Sequence, residues 1–397
     1  MTPAIQRLLI AAVQVLGLAV WFSVSAVVPS LTQDWGISAN GAVWLTASVQ
    51  LGFVAGAVVS TTLNLADRVP PHLLLAASAA AAAVCTLAVA FWATGLDVAV
   101  PLRFLTGVFL AGVYPVGMKL MASWSERAAR GKALGILVGA LTLGSALPHL
   151  ISGLGSWDWQ VVLVVAAAAS LTGAVVAALC VRPGPHAAAS APVRNASYAI
   201  GMFRDRGPRL ANLGYFGHMW ELYALWTWIP SFLRASPAAD GLPVSAEVAV
   251  FATMGLAGVA GCLVGGWGAD RFGRSPAAVT ALVLSGLCCL VSPLAFGAAP
   301  VVLLVFCAVW GAAVIADSGV FSTALSETAD ARYVGTALTA QTALGFGLTV
   351  VSIQLVPLAV DMMGWRWAFL VLVPGPVLGA IAMRSFGRRR ATHQEVF

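Results

Sequence analysis

Apolar residues fall in twelve long runs, near 8–30, 41–65, 73–94, 98–120, 132–153, 160–181, 210–233, 246–268, 276–297, 300–324, 333–357 and 366–384. A helix needs roughly 20 such residues to cross the hydrocarbon core of a bilayer. Within each run the apolar positions are continuous rather than alternating, so the pattern predicts helices and not a β-barrel. Polar residues gather in the short intervals between runs. The longest polar stretch, 183–208, is rich in Pro, Ala, Ser and Arg and reads as a flexible linker. The expected fold is all-α and integral to the membrane, with twelve transmembrane helices in two pseudo-symmetric six-helix bundles. Its expected parts are a bundle over 1–182, the linker over 183–208, a second bundle over 209–384 and a tail over 385–397. Arg7 before an apolar run, with Val24-Ser25-Ala26 after it, has the outline of a signal peptide. The run is longer than such an h-region, so we expect it to stay as the first helix.

Composition agrees with the pattern. Of 397 residues, 60% are hydrophobic and 9% are charged, against about 25% charged in soluble domains. A chain this apolar cannot cover a water-facing surface, and its partner is the lipid bilayer. The charge distribution sets the expected orientation, because cytoplasmic loops collect Lys and Arg. With both termini inside, only Arg103, Arg234 and Arg366 of the 21 basic residues lie elsewhere. The opposite loops are short and hold Asp34, Asp97, Asp158, Asp240, Glu247 and Asp361. This topology explains the basic residues, so no nucleic-acid partner is expected. No loop is long enough for a soluble catalytic domain. Cys85, Cys180, Cys262, Cys288, Cys289 and Cys307 all sit inside runs without metal-ligand spacing, and read as packing residues. We expect no enzyme, no cofactor and no metal site.

The two halves echo each other at an offset of about 200 residues. Asn64-Leu65-Ala66-Asp67-Arg68 is echoed by Trp267-Gly268-Ala269-Asp270-Arg271, Pro101 by Pro300, Arg130 to Leu134 by Arg332 to Thr336, and Trp157-Asp158-Trp159-Gln160 by Trp365-Arg366-Trp367-Ala368. Gly265-Gly266-Trp267-Gly268-Ala269-Asp270-Arg271-Phe272-Gly273-Arg274 carries the loop motif G-x-x-x-D-R-x-G-R complete. In this the chain resembles the major facilitator superfamily. The first-half copy keeps Asp67-Arg68 but has Pro70-Pro71 where Gly and Arg stand in the motif. Arg103-x-x-x-Gly107 with Gly112 is similar to the family's fourth-helix motif. Gly135, Gly139, Gly144 and Pro148 are similar to a degenerate fifth-helix antiporter motif, without its adjacent Gly-Pro pair. The resemblance implies a secondary transporter whose substrate cavity lies between two rocking halves. It implies a gating loop of Asp67, Arg68, Gly266, Asp270, Arg271, Gly273 and Arg274. Glycine supplies the special backbone angles of a tight turn. Asp270 suits a neighbouring helix N-terminus, where the dipole is positive. The plainer reading of these charges is topology alone.

Ionisable groups within the bilayer are costly and usually functional. Three are expected to serve proton coupling: Glu221, Arg103 and Asp317. Glu221 is the deepest acid, near the middle of the seventh run. A proton relieves the cost of burying its charge, as does a cationic substrate; the alternative is a structural role, a protonated glutamate hydrogen-bonded between helices. For Arg103 the resemblance implies a role in coupling, and the alternative is snorkelling to the headgroups. Asp317 aligns near Lys119 in the repeat and reads either as half of an inner ion pair or as an interfacial acid. His218, Trp220, Tyr223, His149, Gln50 and Gln341 are the candidate substrate-binding residues, although polar groups of this kind also join helices. Trp226 and Trp228 read as membrane-belt residues near the outer end of the seventh run.

The expected function is therefore secondary active transport of a small organic solute across the cytoplasmic membrane by alternating access. Coupling to protons is expected, in a monomer with both ends in the cytoplasm. A central acid among aromatics suits a cationic or amphipathic solute, which leans toward efflux; proton-coupled uptake of a small metabolite is the alternative. The second and eighth runs hold no Lys or Arg, which argues against small inorganic anions. A receptor that binds without transport is a remote third reading.

Overall fold

The computed structural model describes residues 2–63, 65–126, 130–155, 157–186, 197–330 and 332–394. Twelve helical spans follow one another. The first six are α1 (Pro3–Leu18, resumed over Val28–Trp35), α2 (Ala39–Thr62), α3 (Pro71–Trp92), α4 (Leu96–Leu110, resumed over Tyr114–Ser123), α5 (Arg130–Gly153) and α6 (Trp159–Cys180). The second six are α7 (Arg206–Ala235), α8 (Ala246–Phe272), α9 (Arg274–Phe296), α10 (Pro300–Ile315, resumed over Ser318–Thr328), α11 (Val334–Met363) and α12 (Pro374–Gln394). Ten of these spans are long and apolar enough to cross a bilayer by themselves. The exceptions are α1, shortened by its break, and α7, which holds Trp220, Glu221, Trp226 and Trp228. Large apolar side chains such as Phe91, Trp92, Val264, Leu290, Leu294 and Val302 point outward, as lipid-facing residues must.

Local chemistry starts the helices where the polar intervals end. Ser38 and Ser245 each accept a backbone N–H of their own first turn, from Gly41 at 3.1 Å and Val248 at 3.3 Å, which supplies partners the helix lacks. Pro71 and Pro300 open α3 and α10, where a missing N–H costs nothing. The last helix continues beyond Arg384 to Gln394, so the expected tail begins as helix. Of the expected linker, residues 187–196 lie outside the described residues. The rest includes the short turns Tyr198–Gly201 and Met202–Arg204.

The two halves are built alike, down to single contacts. Gly107 of α4 packs on the backbone of Val49 in α2, and Gly311 of α10 packs on Thr253 in α8. These pairs are separated by the same interval along the chain. Gly56 against Val108 is matched by Gly261 against Ala312, but there the α8 interval is longer by one residue. The cause is a π-helical turn over Phe251–Leu256, which inserts one residue into the ladder and is frequent at functional sites. Small residues at these crossings let backbones touch. A Cβ at Gly52 would sit inside the Phe104 carbonyl. Gly52→Ala should therefore force α2 from α4 and cost about 1–3 kcal/mol, read as a lower unfolding temperature in detergent. An unchanged unfolding temperature would contradict this packing.

The halves meet along α2 with α11, α5 with α8, and α1 with α7. At the end carrying both termini, Thr61 and Thr339 hydroxyls lie 3.1 Å apart across that boundary. At the opposite end Ser245 donates to the Gly153 carbonyl at 3.3 Å. Both ends of the boundary are thus in contact.

Candidate functional site

Aromatic rings from both halves fill the middle of the boundary. Trp21 and Phe22 of the interrupted α1, Phe53 of α2, Tyr223 and Trp226 of α7 and Phe346 of α11 form one cluster. Phe53 and Phe346 stack at 4.4 Å, Trp21 and Tyr223 at 5.9 Å, and Phe22 lies 5.5 Å from Trp226. Beside it lies a cavity of about 220 Å³, bounded by Phe22, Leu141, Ser145, Tyr223, Trp226 and Ile315. Two of its walls come from each half. The indole N–H groups of Trp21 and Trp226 are buried without a protein acceptor. So are both side-chain polar atoms of Gln50, of Gln341 and of His149. His149 follows Ser145 by one helical turn and so shares its face of α5. Buried polar groups are normally hydrogen-bonded, and of these residues Trp226 lines the cavity itself.

The expected substrate residues therefore divide. Tyr223, His149, Gln50 and Gln341 are buried in the central part of the protein. Trp220 turns away: its indole N–H donates to the Val371 carbonyl at 3.1 Å, inside the second half. Trp226 and Trp228, read from sequence as belt residues, are instead buried, and Trp228 donates to the Ile353 carbonyl at 2.8 Å. Trp21, Phe22, Phe53 and Phe346 were missed, because an aromatic in a uniformly apolar run carries no sign of which way it faces.

A second polar cluster lies within the α7–α9–α10 group. Glu221 Oε1 accepts three bonds: from Ser285 Oγ at 2.6 Å, Trp310 Nε1 at 2.6 Å and Cys289 Sγ at 3.2 Å. Its carboxylate faces the core of the second half, away from the central cavity. It is thus not placed as a counter-charge for a substrate there, and the sequence-based argument for a cationic solute loses its footing. One turn earlier on α7, His218 Nδ1 lies 2.9 Å from Asp317 Oδ1, and its Nε2 lies 2.9 Å from Ser318 Oγ. Asp317 and Ser318 are the residues at which α10 breaks and restarts. The first half has the neutral counterpart: Gln14 of α1 donates at 3.1 Å to the Val113 carbonyl, where α4 breaks and restarts. Asp317 thus finds its partner within its own half, in His218. It is flanked by Ile315, Ala316 and Gly319, which line a cavity of about 350 Å³ between α5, α8 and α10.

Arg103 is fully buried and does not snorkel. It donates to the carbonyls of Val20 at 3.0 Å, Leu45 at 3.4 Å and Trp21. The Val20 and Trp21 carbonyls are released by the break in α1, and a guanidinium satisfies several at once. Arg103 therefore holds the interrupted segment that presents Trp21 and Phe22 to the aromatic cluster.

The gating motif lies at the end bearing the termini. Gly273 has φ +97°, a conformation that only glycine adopts without strain. It turns α8 into α9. Arg274 bonds Asp270 at 2.8 Å and lies 3.6 Å from Glu327. The Asp270 carboxylate sits against Gly131, in the first turn of α5 and on the other half, where the helix dipole favours an anion. Gly266 approaches the same helix at Gly131 and Gly135. Arg271 and Arg68 are exposed, and the Asp67 side chain lies outside the described residues. The complete copy of the motif thus bridges the halves through Asp270.

This architecture has known counterparts. The sequence matches the Major Facilitator Superfamily model over residues 10–353. It is 26% identical over 296 residues to the gallate transporter of Pseudomonas putida, covering 66% of this chain and 64% of that one. It is 26% identical over 287 residues to the 4-hydroxybenzoate transporter PcaK of Pseudomonas aeruginosa, covering 62% and 61%. The chain thus spans less than two thirds of the length of these relatives. Its fold resembles that of the proton:xylose symporter XylE with a TM-score of 0.73, at 15% identity and over 96% of both chains. The chain belongs to the Major Facilitator Superfamily, a multi-pass membrane protein of twelve helices in two six-helix bundles. The family and these relatives are transporters, not enzymes.

Proposed function

We propose that this protein is a secondary transporter that carries a small planar organic acid into the cell together with protons, by alternating access between its two halves. The observation that carries this reading is the central cavity, walled by aromatic faces from both halves and lined by Trp226, whose buried indole N–H has no protein acceptor. Aromatic faces suit a planar ring, and the indole N–H suits a hydroxyl or carboxylate oxygen on it. Gallate and 4-hydroxybenzoate, carried by two relatives, have this shape and chemistry. An anion entering a cell that is negative inside moves against the membrane potential, and co-transported protons offset that cost. The His218–Asp317 pair supports that role, because it sits at the break in α10 and beside the α5–α8–α10 cavity. Glu221 lies deeper and is shared among three donors. The protein acts as a monomer in the cytoplasmic membrane with both ends in the cytoplasm, the orientation favoured by its basic loops.

A pH dependence would not come from the loop that enters α11. There the neighbouring Arg332 holds the exposed Asp330 carboxyl down to about 2, so it stays ionised across the working range of pH. The decisive experiment is uptake of labelled 4-hydroxybenzoate and gallate into proteoliposomes with an imposed pH gradient, acid outside. Accumulation that collapses with a protonophore is the expected result, and Tyr223→Ala should raise KM by removing a ring face. Extrusion driven by the same gradient would reverse the direction toward the efflux to which the sequence leaned. Transport of organic cations but not of these acids would overturn the substrate class.

A further inference from the structure

A second cavity, of about 320 Å³, lies at the end opposite the termini, where α1 and α2 meet α7. Its polar lining is Ser25 and Thr46 from the first half and Thr227, Ser231 and Arg234 from the second. Arg234 is one of two arginines that the charge pattern places outside. The other, Arg366, donates to the Pro293 carbonyl at 3.1 Å, lies over the Trp367 ring and does not line this cavity. Arg234 donates through Nη1 to Glu247 Oε1 at 2.6 Å. Glu247 thereby fixes the guanidinium and occupies only one of its nitrogens, leaving the Nε and Nη2 edge for a second acceptor. Opposite it, the Ser25 and Thr46 hydroxyls are 2.7 Å apart. Only one of the two protons is used between them, so the other remains to be donated.

His149 is fully buried and has no protein partner on either ring nitrogen. On α5 it lies one turn from Ser145, which lines the central cavity.

We infer that Arg234, held by Glu247, is the outer docking point for the carboxylate of the transported acid before it moves into the central cavity. This rests on the organic-acid reading above. A planar guanidinium receives a carboxylate through two parallel N–H bonds, and a point charge such as lysine does not. The position also has a mechanical consequence. Glu247 follows Ser245, whose hydroxyl closes the boundary on Gly153, so a ligand at Arg234 acts next to the outer seal.

The test is side-specific transport of 4-hydroxybenzoate in oriented proteoliposomes, with the substrate supplied outside or inside. In Arg234→Gln, KM for external substrate should rise about tenfold or more, as expected for loss of charge-assisted hydrogen bonds. KM for internal substrate should stay at the wild-type value, which also shows that the variant is folded. Arg234→Lys should recover only part of the loss, and Arg366→Gln none of this phenotype. An unchanged external KM in Arg234→Gln overturns the inference, and so does an equal rise on both sides. If the wild-type protein transports neither 4-hydroxybenzoate nor gallate from either side, the organic-acid reading falls and takes this inference with it.

Discussion

Asp317→Asn should abolish accumulation driven by a pH gradient while leaving the exchange of substrate for substrate intact. The substitution keeps the size of the side chain and its ability to hydrogen-bond His218, now 2.9 Å away. It removes the carboxyl that, in the proposed mechanism, takes up and releases a proton. Without that group the two conformations can still interconvert with substrate bound, so labelled substrate exchanges to equilibrium. No energy from the gradient reaches it, and the internal-to-external ratio settles at unity. His218→Gln should behave similarly, because the pair acts as a unit. Gln14, at the matching position of the first half, bonds the break in α4 without any titratable group, so Gln14→Glu tests whether that half accepts the role. Wild-type accumulation by Asp317→Asn would remove Asp317 from the coupling machinery.

Glu221 gives the second large effect, and two variants separate its possible roles. Glu221→Ala strips the shared acceptor from Ser285, Cys289 and Trp310, three donors buried in the second half. Each buried donor left unpaired costs about 1–3 kcal/mol. The variant should unfold at a markedly lower temperature in detergent. Glu221→Gln keeps an oxygen for the three donors and should retain most of that stability. If Glu221 also carries protons, the glutamine form will be folded and uncoupled; if its role is structural, it will be folded and active. Wild-type stability in Glu221→Ala would contradict the three-donor arrangement.

The same residue shows what sequence could and could not read. Glu221 stands out in sequence because acids are scarce in apolar runs, and its depth in the seventh run follows from counting residues. Its direction does not. On a water-soluble helix the polar face points to solvent and reveals the azimuth. In a membrane helix lipid is as apolar as the core, so all faces read alike. Trp220 and Tyr223, close neighbours on one helix, therefore looked equivalent, yet one bonds Val371 inside the second half and the other meets Trp21 across the boundary. Arg103 was found by its charge, but its partners are backbone carbonyls, which have no signature in sequence. The breaks in α1 and α4 interrupt runs that are mostly apolar, and at the α10 break Asp317 and Ser318 are two polar residues in a long apolar run, so hydropathy passed over all three.

What the sequence determined by itself was set by the solvent and the chain. The cost of polar groups in hydrocarbon imposes the length and number of apolar runs. The bias of basic residues indicates an orientation. Duplication leaves an internal echo, and the tight turn from α8 to α9 demands glycine at position 273. The tertiary structure alone decided which side chains meet: the aromatic cluster, the His218–Asp317 pair at the α10 break, the three donors on Glu221 and the Arg234 cavity. Each joins residues far apart along the chain, through the rotation of one helix against another. That rotation is fixed by close packing at positions such as Gly107 on Val49 and Gly311 on Thr253, and no single helix encodes it.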